Sequence, residues 1–260
     1  MGFLIYMKNI FDTHAHYDDK AFDEDRDALF SSMFAENVCC VVNQGTDIAS
    51  SMRSIEFAEK YDGVYAAVGL HPECLNENSM SDISEIEKLA AHPKTAAIGE
   101  IGLDYYYDIS KDLQKRVFIA QIELANALSM PVNIHDREAH GDTMDILRQM
   151  KPKGILHCFS GSVEMAKEIV GLGMYIGIGG VVTFKNARKT VEVVSEIPLE
   201  RIVLETDCPY LSPVPNRGKR NDSTNIRYVA QRIAEIKSLT EAEVLNTTKA
   251  NAKRVYNIKI

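Results

Sequence analysis

The stretch Asn9-Ile10-Phe11-Asp12-Thr13-His14-Ala15-His16 decides between the two folds that the rest of the chain allows. Its apolar beginning predicts a β-strand over Asn9–Asp12. An open, doubly wound sheet would carry a Gly-rich nucleotide-binding loop directly after its first strand. This chain carries His14-Ala15-His16 at that position instead. The stretch therefore favours a closed barrel over an open sheet.

Outward from this stretch, short β-rich apolar runs alternate with segments of helical periodicity over the whole chain. Alternating strands and helices imply parallel strands joined by right-handed crossovers. We predict an α/β fold, a (β/α)8 TIM barrel, that forms a single domain over residues 1–260, with residues 1–6 as an extension before a second possible start at Met7. The predicted strands are Asn9–Asp12, Val38–Asn43, Val64–Val68, Thr95–Gly99, Pro131–Ile134, Gly154–Leu156, Met174–Ile178 and Ile202–Leu204. The clearest predicted helices are Asp82–Ala91, Asp112–Leu128, Ser162–Gly171 and Asn186–Glu196.

Composition limits the kinds of partner that the protein can have. The net charge of −8 argues against a wide basic face that coats nucleic acid, although a few local cations could still grip phosphates. The five cysteines form an odd set without a CxxC pair, which is typical of reduced thiols and favours a cytoplasmic location. No apolar run approaches the length of a membrane span. We expect no membrane association and no obligate protein partner.

Polar residues of metal-binding type follow five of the predicted strands. Carboxyl ends of barrel strands converge on one face, so these side chains should be neighbours in space. Taken singly, each could be a hydrogen-bonded histidine or a capped acid. Taken together, four histidines and two carboxylates are the donor set that a metal centre requires. The predicted ligands are His14, His16, Glu100, His135, His157 and Asp207.

Six ligands exceed the needs of one tetrahedral ion and suit two divalent ions bridged by a carboxylate. We predict that Glu100 is the bridge, because it stands between the two groups of histidines in barrel order. His14, His16 and Asp207 would hold one ion, and His135 with His157 the other. Asp207 could also orient or deprotonate the attacking water, so Glu100 and Asp207 are the predicted catalytic residues. Mixed nitrogen and oxygen ligands suit Mn, Zn, Ni, Fe or Co, whereas Mg would be unusual with four histidines.

The chain contains seven longer motifs: Phe11–His16, Gly69–Pro72, Gly99–Tyr105, Ile134–Arg137, His157–Gly161, Leu204–Leu211 and Arg217–Asn221. Together they resemble the TatD family of metal-dependent deoxyribonucleases. They occur in the family's order and span nearly the whole chain. The resemblance implies an amidohydrolase-like barrel, divalent metals and hydrolysis of DNA phosphodiester bonds, often from the 3′ end, with the six ligands chosen above. Glu73 departs from the histidine that many relatives carry, and the Asp222-Ser223-Thr224 segment departs from their acid and proline.

Five further side chains could contact the phosphates of a substrate. His71 ends the third strand and could donate a hydrogen bond, or it could simply pack in a turn. Three cations in the loop after the last strand could grip phosphate, or they could belong to a solvated loop. The predicted contacts are His71, Arg137, Arg217, Lys219 and Arg220. Tyr105-Tyr106-Tyr107 could stack bases, although such a run often only packs a loop.

The sequence leaves rival functions open beside a metal-dependent nuclease that acts on DNA ends. An amidohydrolase could cut C–N or ester bonds, but many of those barrels bridge their metals with a modified lysine, and this chain carries Glu100 there. A phosphodiesterase on small nucleotides would use the same centre. A non-catalytic metal-binding or nucleic-acid-associated protein would not need a complete ligand set with room for water.

Overall fold

Eight parallel strands follow one another around a single sheet in the computed structural model, which describes residues 9–259. Each strand pairs with the next strand in the chain, so the sheet order is the chain order. The predicted (β/α)8 fold is confirmed. The predicted extension over residues 1–6 and the second start at Met7 lie outside the described residues. The strands are β1 (Ile10–Ala15), β2 (Val38–Gln44), β3 (Val64–Val68), β4 (Thr95–Asp104), β5 (Val132–Arg137), β6 (Gly154–Leu156), β7 (Tyr175–Ile178) and β8 (Ile202–Leu204).

A seam between β1 and β8 brings the two ends of the sheet together. Ala15 forms an isolated parallel bridge with Cys208. The Asp207 N–H donates to the His14 carbonyl at 2.9 Å, and the His16 N–H donates to the Cys208 carbonyl at 2.9 Å. Below these bonds, the buried Asp12 carboxylate accepts from both the N–H and the hydroxyl of Thr206, at 3.0 and 2.6 Å. The seam therefore fixes the backbone on which three of the predicted ligands stand.

Helices cover the outside of the barrel and pack their apolar faces on the strands, as amphipathic helices do. Side-chain caps begin several of them; in α2, Asp47 and Ser50 form a reciprocal capping box. No helix of residues 9–259 is both long enough and apolar enough to cross a membrane. The helices are α1 (Arg26–Ala35), α2 (Ile48–Lys60), α3 (Ser79–Ala90), α4 (Lys111–Leu128), α5 (His140–Met150), α6 (Val163–Gly171), α7 (Arg188–Glu196), α8 (Ile226–Lys237) and α9 (Glu241–Tyr256).

Helix α9 packs against β1 and β8, and no strand follows it within residues 9–259. Its last residue, Tyr256, is buried, and its ring stacks on Phe11 with 6.1 Å between centroids. The Tyr256 hydroxyl lies 2.9 Å from both the Thr13 carbonyl and Asn133 Oδ1. Asn133 in turn donates to Gln44 at 2.8 Å. A small polar network thus links α9 to strands β1, β2 and β5 inside the barrel.

Four strands extend further than the sequence predicts: β2 gains only Gln44, and each of the other three extensions contains a predicted ligand. β1 continues through His14 to Ala15, β4 through Glu100 to Asp104, and β5 through His135 to Arg137. The predicted strands end too early because polar side chains usually mark a loop. In this barrel the neighbouring strands supply backbone partners beyond the apolar stretch, as in the pairing of Asp104 with Arg137. The ligands therefore stand partly on the sheet itself and not only on loops.

Candidate metal centre

Glu100 lies at the centre of the site because of an irregularity in β4. The register between β4 and β5 shifts between Ile98 and Ile101, and such irregularities redirect a side chain. Gly102, at φ +149°, lets β4 pass close to β5, because a Cβ at this position would collide with the His135 carbonyl. Glu100 is buried, with 4% of its side-chain surface exposed. Its two carboxylate oxygens face two different groups of histidines.

The first group contacts Glu100 Oε2. His14 Nε2 lies 3.3 Å and His16 Nε2 3.4 Å from this oxygen. The same two nitrogens lie 3.7 and 3.5 Å from Asp207 Oδ1, respectively. His14 lies in β1 and His16 directly follows it, so the two share a face because they are two residues apart in extended chain, and the seam brings Asp207 beside them. The structure thus brings together the three side chains predicted to hold one ion.

The second group contacts Glu100 Oε1. His157 Nε2 lies 2.8 Å and His135 Nδ1 3.0 Å from this oxygen, and the two nitrogens are 3.3 Å apart. His135 stands within β5 and His157 directly follows β6, so adjacent strands present them. The rings of His157 and His14 stack with 3.8 Å between centroids, which joins the two groups. The other five predicted ligands therefore gather around the Glu100 carboxylate.

His71 also reaches this centre, at 3.4 Å from its Nε2 to Glu100 Oε1. Its other ring nitrogen, Nδ1, accepts a hydrogen bond from the Glu73 N–H at 3.2 Å. An accepting Nδ1 carries no hydrogen, so the hydrogen of the neutral ring lies on Nε2. His71 thus presents a donor to the site, and a nitrogen that carries a hydrogen cannot bind a cation. The departure at Glu73 leaves this contact intact, because the backbone of residue 73 makes it.

Asp104 is a site residue to which the sequence assigned no role. Its Oδ2 lies 2.9 Å from His135 Nε2, and its Oδ1 accepts the Tyr106 N–H at 2.9 Å. In the neutral ring, the Nε2–H of His135 points to Asp104 and the Nδ1 lone pair faces Glu100 and His157. A metal ligand needs this tautomer. Asp104 follows Glu100 by four residues, an even number, so the two side chains lie on the same face of β4. That periodicity could have revealed Asp104, but only if β4 had been predicted to its full length.

The donor set fits divalent cations better than a cluster held by hydrogen bonds alone. His14 Nε2 and His16 Nε2 lie 3.1 Å apart. If both nitrogens present lone pairs, a cation between them would remove their repulsion. Within the described residues, His157 Nδ1 and Glu205 Oε2 are buried without a hydrogen-bond partner. A cation on His157 Nε2 would place the ring hydrogen on Nδ1, 3.9 Å from Glu205 Oε1. Among the described residues, two groups of predicted ligands have donor atoms close enough together to hold an ion: His14, His16 and Glu100, and His14, His157 and Asp207.

Electrostatics give the ligands different charges: Glu100 is anionic, His14 is neutral and His135 favours its protonated form. Burial alone would raise the pKa of Glu100, but the surrounding His71, His157 and His14 hold it well below its ordinary range. Burial lowers the pKa of His14 to about 3, so its ring is neutral at pH 7 and has a free lone pair. Burial also acts downward on His135, but Asp104 and Glu100 raise its pKa to about 10. These carboxylates favour positive charge beside His135, which is the charge that a cation supplies.

The four predicted phosphate-binding cations occupy different environments. Arg137 is exposed at the end of β5, stacked at 3.9 Å on the Tyr106 ring. Arg217 stacks on Phe184 at 3.8 Å, and Lys219 is exposed in the same loop. Arg220 instead forms a two-pronged pair with Asp25, at 2.8 and 2.6 Å. Its donors are engaged, so the structure gives less support to a phosphate contact by Arg220 than by the other three.

Comparison with known proteins places this geometry in a family. The family model described as TatD related DNase matches residues 11–257. The chain belongs to the TatD family. A metal-dependent hydrolase of Bacillus subtilis, YabD, is 45% identical over 253 residues, which cover 96% of this chain and 99% of the relative. The Escherichia coli K12 protein described as 3′-5′ ssDNA/RNA exonuclease TatD is 33% identical, with coverages of 96% and 99%.

Solved structures agree with this TatD assignment. The crystal structure of YjjV, a TatD homologue from Escherichia coli K12, superposes with a TM-score of 0.87 at 28% identity. The superposition covers 97% of this chain and 99% of that one. The resemblance drawn from the sequence motifs is thereby confirmed, and so is the expectation that the chain is related to metal-dependent hydrolases.

Proposed function

We propose that this TatD-family chain is a metal-dependent exonuclease that removes nucleotides from the 3′ end of single-stranded DNA or RNA. The observation that carries the proposal is that the two carboxylate oxygens of Glu100 face two separate groups of histidines. Paired metal sites bridged in this way recur in enzymes that hydrolyse phosphodiesters. The E. coli relative described as a 3′-5′ ssDNA/RNA exonuclease supports the choice of substrate.

His14, His16 and Asp207 would hold one divalent ion, His135 and His157 would hold a second, and the Glu100 carboxylate would serve both. Bound ions of this kind lower the pKa of water and neutralise charge on the phosphate. Asp207 has the most exposed side chain of the six ligands, at 20%, against 1% for His14 and 4% for Glu100. Its carboxylate is therefore the one that attacking water can reach, and it would accept the proton of that water.

The remaining chemistry concerns the charge of the phosphate. His71 Nε2–H would donate to a phosphate oxygen, since its tautomer is set by the Glu73 backbone. Arg137, Arg217 and Lys219 would neutralise neighbouring phosphates from the strand ends and the loop after β8, and an arginine can do so through two parallel hydrogen bonds. Local cations of this kind allow a protein of net charge −8 to hold a nucleic acid end without a basic face.

The test is incubation of the purified full chain with single-stranded DNA or RNA labelled at the 5′ end, in the presence of Mn, Zn, Co or Mg. We expect a ladder of products shortened from the 3′ end, and no hydrolysis in excess chelator. Glu100→Gln and Asp207→Asn should each lower kcat/KM by more than about 100-fold, because even residues that only orient a ligand often cost 10- to 100-fold.

Glu168→Gln is the matched control, since Glu168 pairs with Arg148 on the outer surface. It should retain full activity. A wild-type chain that releases no nucleotide with any of these metals would refute the nuclease. Hydrolysis of esters, amides or small nucleotides in place of oligonucleotides would instead support one of the rival functions.

Two further parts of the proposal concern the chain as a whole. We propose that residues 9–259 act as one catalytic domain, because the ligands come from β1, β4, β5 and β6 and from the segment after β8. We also place the activity in the cytoplasm, where the five cysteines, all of them free thiols, would remain reduced.

A further inference from the structure

Two tyrosines beside the candidate metal centre expose their rings to solvent. Tyr106 is 59% and Tyr107 41% exposed, and large apolar surfaces rarely stay uncovered without a reason. The rings meet edge to face, with 5.2 Å between centroids and an interplanar angle of 85°. The preceding Tyr105 differs, because its hydroxyl donates to Asp142 at 2.5 Å and Lys111 lies 4.2 Å above its ring. Only the second and third residues of the tyrosine run are therefore available to a ligand.

Arg137 completes this surface, which we call the Tyr106 platform (Tyr106, Tyr107 and Arg137). Its guanidinium lies 3.9 Å from the Tyr106 centroid and 5.7 Å from that of Tyr107. Across residues 9–259, the guanidinium has these ring contacts but no hydrogen bond and no close ion pair, and its charge helps to lower the pKa of the nearby Asp104. Its N–H donors therefore remain available, and the stacked guanidinium extends the flat surface of the ring.

The platform is tied to the metal centre through one carboxylate. Asp104 accepts the Tyr106 N–H with Oδ1 and faces His135 Nε2 with Oδ2. Arg137 follows His135 by two residues on β5, which is roughly 7 Å along a strand. The Tyr105 N–H donates to the Arg137 carbonyl at 2.9 Å, so β4 and β5 are still paired beneath the platform. The platform thus stands at a fixed offset from the ligand His135.

We propose that the Tyr106 platform stacks a base of the substrate strand while the Arg137 guanidinium contacts the adjoining phosphate. This inference rests on the proposed nuclease function and adds a binding site to it. Aromatic rings stack on any base, so the contact tolerates sequence, and a cation beside the ring matches the phosphate that accompanies each base. A base in a duplex would first have to leave its stack, which costs free energy. The platform therefore selects single strands.

The first measurement is kcat/KM on single-stranded oligonucleotides that lack one base at successive positions from the 3′ end. Tyr106→Ala should lower kcat/KM on the complete strand roughly tenfold, in line with measured base stacking on aromatic residues. Removal of the base at one position should lower the wild-type value similarly and leave the Tyr106→Ala value unchanged. Tyr106→Phe should behave as wild type, because it keeps the ring.

Leu128→Ala is the control, since Leu128 is similarly exposed, at 39%, but ends α4 at the opposite end of the barrel. It should change neither kinetics nor melting temperature. If Tyr106→Ala and wild type lose the same factor at every abasic position, the platform is overturned. A lowered melting temperature of Tyr106→Ala without restoration in Tyr106→Phe would also overturn it, because it would reveal a structural role.

A second measurement separates the platform from the nuclease. The full chain, held in chelator, is titrated with oligonucleotides that carry 2-aminopurine, whose fluorescence falls on stacking. Quenching at one position that disappears in Tyr106→Ala supports the platform. If no oligonucleotide is hydrolysed in the same experiments with metal, the proposed nuclease function is refuted and the platform is not. Hydrolysis by wild type together with equal quenching in both proteins refutes the platform and leaves the nuclease standing.

Discussion

At the scale of single residues, the centre depends on which ring nitrogen carries a hydrogen. His71 and His135 both lie beside Glu100, and the backbone N–H at Nδ1 of His71 and the Asp104 carboxylate at Nε2 of His135 place the hydrogen of each neutral ring on Nε2. The two rings turn different nitrogens towards Glu100, however, Nε2 in His71 and Nδ1 in His135. His71 therefore offers a donor and His135 a lone pair. Neither assignment can be drawn from residue type or spacing alone.

Asp104→Asn tests this account of His135. The amide keeps an oxygen for the Tyr106 N–H but replaces the acceptor that faces His135 Nε2 with a donor. We expect the affinity for Mn or Zn to fall about 10- to 100-fold, as is usual when the partner of a ligating histidine is lost. Isothermal titration calorimetry of the metal-free chain measures this directly.

Asp142→Asn is the matched control, because Asp142 binds Lys115 and Tyr105 away from the ligands. Its metal affinity should equal that of wild type. Equal affinity in the Asp104 variant would show that His135 is oriented by other contacts.

At the scale of elements, the sequence predicts the order and type of the strands well and their ends poorly. The bounds of β3, β6 and β8 match the prediction, since each is an uninterrupted apolar run. The ends of β1, β4 and β5 were missed because ladder bonds from neighbouring strands keep polar residues such as Asp104 extended. The positions of the six ligands follow from strand order alone, whereas Asp104 needs the register. The sequence does not predict the hydrogen bonds that join Tyr256 of α9 to the barrel interior, because Thr13 and Asn133 are distant in the chain.

Tyr256→Phe tests that role of α9. The variant keeps the ring that stacks on Phe11 but removes the hydroxyl shared by Thr13 and Asn133. Because these buried acceptors would lose their donor, the free energy of unfolding should fall by about 1–3 kcal/mol. Urea denaturation followed by circular dichroism measures the difference.

Tyr106→Phe provides the comparison, since that tyrosine is exposed on the other end of the barrel. Its urea midpoint should not move. A Tyr256→Phe midpoint identical to wild type would mean that water replaces the hydroxyl without cost.

At the scale of the whole molecule, the candidate ligands connect distant parts of the barrel. They stand on or beside β1, β4, β5, β6 and β8, and Glu100 touches histidines from both groups. An ion that binds this set binds the folded chain and not the unfolded one. Metal binding is therefore linked to the stability of the entire barrel.

Removal of metal should accordingly lower the melting temperature of the protein. Saturation at about 100 times the dissociation constant adds about 2.7 kcal/mol, which corresponds to roughly 5–10 °C for a domain of this size. Differential scanning calorimetry with Mn or with chelator measures the shift. Glu100→Gln should show a much smaller one, and an equal shift in both proteins would place the ion elsewhere.

The seam between β1 and β8 also determines when the site can exist. His14 and His16 leave the ribosome before Asp207 and Cys208, which bond to them across the seam and emerge only after seven strands have been made. Domains fold as units during synthesis. A nascent chain therefore carries its first two histidines without their carboxylate partner, and the centre matures only when the last strand closes the ring.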